Sequence, residues 1–183
     1  DSEIAEHEFT QVGRRGRGRP ARHYVATARA HEKLSDSYSD LAVKALGYLG
    51  QVGGGEAIDS FAAARSREIE RRYASTVREA GHDPRLRAQA LADALTADGY
   101  AATVREIGGG GFAVQLCQGH CPIRQVAGDF PQLCEAETAA FSRLLNVHVQ
   151  RLATLAGGEH VCTTHIPVAT PVISPAARAA LRK

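Results

Sequence analysis

A cluster of glycines between Gly50 and Gly55 divides two apolar helical patterns, and no other feature limits the fold of this chain so much. Ahead of it, from Ser37 onward, Tyr38, Leu41, Ala42, Ala45, Leu46 and Leu49 recur at helical spacing and fall on one face. Behind it, from Glu56 to Ala80, Ile58, Phe61, Ala62, Arg65, Ile69, Tyr73 and Val77 trace a second seam. Arg67, Glu68, Glu70, Arg71 and Arg72 cover the remaining surface of that helix. A seam of about seven turns at 3.6 residues per turn is long and thin, the shape of helix-against-helix association. The expectation is a dimerisation helix joining two copies of the chain.

The pattern then shortens. Gly81-His82-Asp83-Pro84 interrupts the chain, with Pro84 where a first helical turn tolerates it. Leu86, Ala90, Leu91 and Leu95 form the next amphipathic face, stopped by Gly99. Tyr100 to Ile107 and Phe112 to Cys117 read as strands joined by four glycines, hence as a hairpin. Pro131 to Ala156 reads as a second long helix carrying Leu133, Phe141, Leu144, Leu145, Val149, Leu152 and Leu155, and His160 to Val168 as a closing strand. The segment after it reads as a loose tail. At the other end, Glu6 to Thr10 and Ala21 to Thr27 read as short strands around a Gly/Arg tip, a unit too small to fold alone. Together the elements predict an α+β chain.

Composition narrows the function classes. The 183 residues are 44% hydrophobic and 23% charged, enough for one real core and too apolar for wholesale disorder. No apolar run approaches the roughly 18–20 residues of a membrane span, so no membrane role is expected. Residue 1 is an aspartate and there is no methionine, which suggests that a preceding piece is absent. No secretory leader is visible. A phosphate-binding GxxxxGK[ST] loop, a serine nucleophile elbow and an HExxH helix are all missing, so an enzyme is not expected.

The net charge of +2 is small, but its distribution is not even. Six arginines and no acid lie between Gly13 and Arg29. Glycine lets a backbone approach a groove closely, and arginine neutralises phosphates or enters a narrow minor groove. Arg14, Arg15, Arg17, Arg19 and Arg22 are therefore the candidate DNA-binding residues. A loop of this kind supplies affinity more than sequence choice.

The four cysteines follow the spacing Cys117-x3-Cys121-x12-Cys134-x27-Cys162. Each falls at an element boundary: a strand end, a loop before Pro122, the first turn of a helix, and the closing strand. Helix N-terminal amides favour a thiolate at Cys134. Thiolates suit zinc and iron–sulfur clusters, and the expectation is one four-cysteine site. Cys162 is the least certain ligand, since free cysteine is often a small buried residue, and His148 or His165 is the alternative. A thiol enzyme or peroxide-reacting sensor is the weakest reading, because the close pair lacks the Cys-x2-Cys spacing of dithiol oxidoreductases.

Gly16-Arg17-Gly18-Arg19-Pro20-Ala21-Arg22-His23-Tyr24 resembles the wing of ArsR/DeoR-type winged helix-turn-helix regulators. Cys121-Pro122-Ile123, Phe130-Pro131-Gln132-Leu133-Cys134-Glu135-Ala136-Glu137 and Gly158-Glu159-His160-Val161-Cys162 resemble the effector domain that follows it in the SufR family, the iron–sulfur-sensing repressors of suf operons. The resemblance spans residues 13–167. It implies a cytoplasmic homodimer with a 4Fe–4S cluster in each effector domain, held by Cys117, Cys121 and Cys134 with Cys162 as the fourth candidate. It implies binding to double-stranded DNA at an inverted-repeat operator of a suf promoter, with cluster loss releasing repression. The alternative keeps the regulator and puts a structural zinc in the cysteine site. The organisation expected on this basis is a wing over 1–35, whose partner helices would precede Asp1, then a helical linker and dimerisation helices over 36–80. An α+β effector domain with a hairpin, a long helix, a closing strand and the cysteine site follows over 81–168, and a flexible tail over 169–183.

Overall fold

The computed structural model describes residues 4–7, 23–26, 37–107 and 111–168. The first two segments are short strands, β1 (Ile4–His7) and β2 (His23–Ala26), paired antiparallel from Ile4 opposite Ala26 to His7 opposite His23. The second strand falls within the expected Ala21–Thr27, whereas the first lies earlier than the expected Glu6–Thr10, of which residues 8–10 are outside the described residues. The tip with Arg14, Arg15, Arg17, Arg19 and Arg22, and the tail 169–183, lie outside the described residues.

Helix α1 (Ser37–Glu79) contains both helical patterns, broken at Gly54. Gly54 has φ 69° and ψ −174°, a conformation essentially confined to glycine. The helix bends sharply there. A methyl group on Gly50 would lie 3.6 Å from Ile58 Cδ1, although eight residues of straight helix span about 12 Å. Leu46, Ile58 and Ala62 accordingly bury into one small cluster with Val126 and Leu133.

After Gly81 the chain enters α2 (Pro84–Ala97), capped by the Asp83 side chain, which accepts from the Arg85 amide at 2.8 Å. Strands β3 (Ala102–Ile107) and β4 (Ala113–Gln118) then form the expected antiparallel pair. Two short elements follow, α3 (Arg124–Asp129) and α4 (Gln132–Leu145). The chain closes with β5 (Gln150–Ala153) and β6 (Cys162–Pro167), giving one four-stranded antiparallel sheet in the order β3-β4-β6-β5. The fold is α+β, and no helix among the described residues is long and apolar enough to cross a membrane.

Two expectations are corrected. The helix predicted from Pro131 to Ala156 ends at Leu145, because Asn146 takes the left-handed conformation (φ 55°) that caps a helix C-terminus. Residues beyond it alternate instead, and Gln150–Ala153 joins the sheet. The seam of the Glu56–Ala80 helix is the other. Ile58, Ala62, Tyr73 and Val77 are at most 5% exposed within a single chain, covered by α2, α3, α4 and the sheet. Tyr73 and Val77 belong to the main core with Leu91, Leu95, Leu116, Phe141, Leu145 and Ile166. Each large side chain so buried contributes about 1.5–3 kcal/mol. The thin seam is long because it meets several short elements in turn, so most of it is not free to meet a second chain; Phe61, 42% exposed, is the member left uncovered.

Candidate metal centre

Strand parity decides which cysteines can meet. In the sheet, Cys117 stands opposite Thr103 and Thr163, whereas Cys162 stands opposite Gln118. Directly opposed residues share a face and successive residues alternate. Cys162, Gln118, Leu116, Thr164 and Ile166 therefore face the helices, while Cys117 faces the other way. The Thr163 hydroxyl hydrogen-bonds the Cys117 sulfur, and Arg105 is the charged group that acts on it. His165 lies opposite Gln115 and Gln150, on the same outer face as Cys117.

The other three thiols come from three different elements. Cys121 sits in the turn after β4, which continues the β3–β4 ladder through His120 N–H to Tyr100 O at 3.1 Å and ends with Cys121 O accepting from the Arg124 amide at 3.1 Å. Cys134 is in the first turn of α4, with its amide bonded to Pro131 O at 2.9 Å. Cys162 opens β6, and its sulfur accepts from the Leu155 amide at 3.2 Å.

Electrostatics tie these three together and leave Cys117 out. Burial, first of all, pushes the Cys121 thiol up to about 12, and the Glu137 carboxylate, Cys162 and Cys134 act in the same direction. Cys134 is raised by burial and then by Glu137, with Arg151 opposing and Cys162 adding. Cys162 is raised by burial, against the Leu155 amide and Arg151, which both favour its thiolate. Cys117 is raised by burial too, but its neighbours are Arg105 and Thr163.

A buried polar network backs the three thiols, and nothing in the sequence reading found it. Arg151 is 11% and Glu137 7% exposed, and Arg151 Nη2 donates to Glu137 Oε1 at 3.2 Å. Gln118 Nε2 donates to the same oxygen at 3.1 Å, and Gln118 Oε1 accepts from Arg151 Nη1 at 3.0 Å. Arg151 Nε reaches Thr138 Oγ1 at 3.2 Å, and its guanidinium stands 5.6 Å from the Phe141 ring centre. The available signal was Arg151 in an alternating stretch, Val149 to Ala153, which periodicity had assigned to a helix.

Cys134 also opens onto a groove of about 710 Å³ between α4 and the β5 region. Its walls include Thr138, Ser142, His148 and Arg151. His148 thus shares a groove wall with Cys134, while His165 does not belong to this side of the sheet.

The residues fit a metal centre in one respect and depart from it in another. Cys121, Cys134 and Cys162 lie near enough to influence one another's ionisation, and each brings the soft donor that zinc or iron–sulfur chemistry uses. Among the described residues, however, no three Cys, His, Asp or Glu side chains form a group able to hold one metal ion. Tetrahedral thiolates at 2.3 Å from a zinc stand only about 3.8 Å apart. The thiols are gathered without being closed around a single ion, and the four-cysteine set is not assembled on one face.

Comparison of the chain with known protein families, with characterised proteins and with solved structures finds no match.

Proposed function

We propose that this chain is the sensing part of a DNA-binding transcriptional repressor whose cysteines hold an iron–sulfur cluster, as the resemblance to SufR-type regulators implies. The observation that carries the reading is the convergence of Cys121, Cys134 and Cys162 from a turn, a helix start and a strand start, beside a buried arginine. Polynuclear clusters spread their protein ligands more widely than a single zinc ion does, which suits thiols that are neighbours without closing on one point. Burial raises all three thiols, so as free thiols they are poor nucleophiles, and a ligand role requires the bound metal itself to stabilise the thiolates.

When bound, the cluster supplies a tie between its ligands that depends on iron and redox state. The residues themselves supply the transmission. Cys134 begins α4, α4 is the helix most extensively packed on α1, and α1 leads back toward the strands that flank the basic tip. Freeing Cys121, Cys134 and Cys162 from one another releases three elements whose relative position is otherwise shared, and α1 shifts with them. Arg14, Arg15, Arg17, Arg19 and Arg22 would neutralise phosphates of a suf operator, and two copies would read its inverted repeat. The setting is cytoplasmic, where thiols stay reduced.

The test is an absorption spectrum with iron, sulfide and zinc analysis on protein purified without oxygen. A brown protein with about four irons and four sulfides per chain supports the reading. A colourless protein that iron and sulfide cannot load overturns it, and stoichiometric zinc retained in that protein assigns the site to structure. Operator binding that is identical with and without the cluster removes the sensing role.

A further inference from the structure

The first half of α1 carries more apolar surface than its own fold uses. Its apolar arc is about 220° wide at 100° per residue, and the structure divides it in two. Ala42, Val43, Leu46 and Leu49 turn inward to the small cluster around Ile58, Val126 and Leu133. Leu41, Tyr48 and Val52 stay 62%, 68% and 69% exposed, with exposed Ala45 between them. Tyr38, 75% exposed, heads the same row.

Positions 38, 41, 45, 48 and 52 are separated by three, four, three and four residues. That is the a/d spacing of a coiled coil, with Tyr38, Ala45 and Val52 at a and Leu41 and Tyr48 at d. We propose that this row is the seam through which two copies of the chain associate, in place of the Ile58–Val77 seam that the fold buries internally. The proposal rests on the homodimer in the function proposed above, and it names the surface.

The occupant is a second copy for three reasons. An a/d row placed on a two-fold axis meets itself, each layer opposite its own counterpart, so it needs no second kind of partner. Ala45 in the middle layer permits close approach of the two backbones, and the flanking charges Lys44 and Asp40 are already paired at 2.7 Å on the same helix, so no like charge is forced across the seam. The area also suffices. With about 150–250 Å² for each aromatic side chain and less for Leu41, Ala45 and Val52, the row offers on the order of 500 Å² per chain. Two copies then bury about 1,000 Å², the lower bound of a specific interface. Two heptads are few, so the association is expected to be weak and concentration-dependent. The row stops after Val52 because Gly54 bends the helix away.

The experiment is sedimentation equilibrium of the chain from 1 to about 100 µM, a range suited to weak association, repeated on Leu41→Asp/Tyr48→Asp and on Leu41→Ala. Expected are a concentration-dependent dimer for the parent, a monomer for the double variant and weakened association for Leu41→Ala, with the dissociation constant of the double variant raised at least about thirtyfold. Circular dichroism should be unchanged, because both side chains are exposed. A cysteine at position 41 should crosslink to its own counterpart in a parallel pair. A parent that dimerises equally well with both aspartates overturns this seam while leaving the homodimer intact. A parent that is monomeric at every concentration overturns the seam and the homodimer together, whereas loss of operator binding in a chain that still dimerises counts only against the DNA-binding part of the proposed function.

Discussion

Replacing Arg151 by methionine leaves the Glu137 carboxylate, 7% exposed, with Gln118 Nε2 as the donor at 3.1 Å. It also strips Gln118 Oε1 and Thr138 Oγ1 of their guanidinium partners. Methionine keeps most of the apolar stem, so the loss is electrostatic more than volumetric. Removing one partner of a buried pair costs about 3–5 kcal/mol, because the remaining charge stays desolvated. The Phe141 ring under the guanidinium adds about 1–2 kcal/mol at this largely desolvated site. The expectation for Arg151→Met is a loss of about 4 kcal/mol, a large share of the roughly 5–15 kcal/mol that stabilises a typical domain. Arg151→Met/Glu137→Leu removes both charges and leaves no buried ion, but it takes both partners from the Gln118 amide, 1% exposed, so it should lie about 2 kcal/mol below the parent. Glu137→Leu alone leaves Arg151 buried without its carboxylate and costs a comparable amount, so the double variant loses several kcal/mol less than the two single changes summed. Urea unfolding of the four proteins at one pH, followed by circular dichroism, measures the cycle. A single variant that loses less than about 1 kcal/mol, or two substitutions whose effects simply add, would refute the view that this pair is desolvated and mutually dependent.

Three other outcomes test separate parts of the structure. Cys117→Ser should retain iron and sulfide after anaerobic reconstitution, whereas Cys134→Ser or Cys162→Ser should lose them; equal loss in all three variants would contradict the strand parity that turns Cys117 away. Gly54→Ala should cost about 1–3 kcal/mol in urea, since alanine avoids the conformation required at the bend, and a neutral result would mean that the bend is not retained. Asp98 accepts from Tyr73 Oη at 2.6 Å and from Arg72 Nη1 at 2.9 Å, and the Tyr73 hydrogen bond, ahead of Arg72, holds its carboxyl below the usual range. A carboxyl whose folded pKa is lowered stabilises the protein above its unfolded pKa and loses that contribution as pH falls through the folded value. Asp98→Asn should therefore flatten the acid limb of stability against pH, and an unchanged limb would show that this contact contributes nothing.

The helical stretches and the hairpin were legible because their signals are local. Spacing marks α1 and α2, the glycines at 50–55 mark the bend, and the alternating run after Tyr100 marks β3 and β4. The helix predicted to reach Ala156 failed for an equally physical reason. Leu145, Val149, Leu152 and Leu155 match helical spacing by accident, while a single left-handed asparagine at 146 ends the helix and leaves the following residues to alternate as β5. The six-residue α3 is too short to show a period at all.

The sequence by itself determined that four thiols lie at or near element ends and that the first half of α1 carries an apolar face at helical spacing. Tertiary structure alone decided which of them meet. Pairing register turns Cys162 inward and Cys117 outward, since neighbours in a strand alternate faces and only the partner strand defines which face holds the core. The same packing buries Ile58 to Val77 inside one chain, brings Glu137, Gln118 and Arg151 together from a helix and two strands, and leaves Leu41, Tyr48 and Val52 in solvent. Local periodicity says that a face is apolar; what covers it depends on elements distant in the chain.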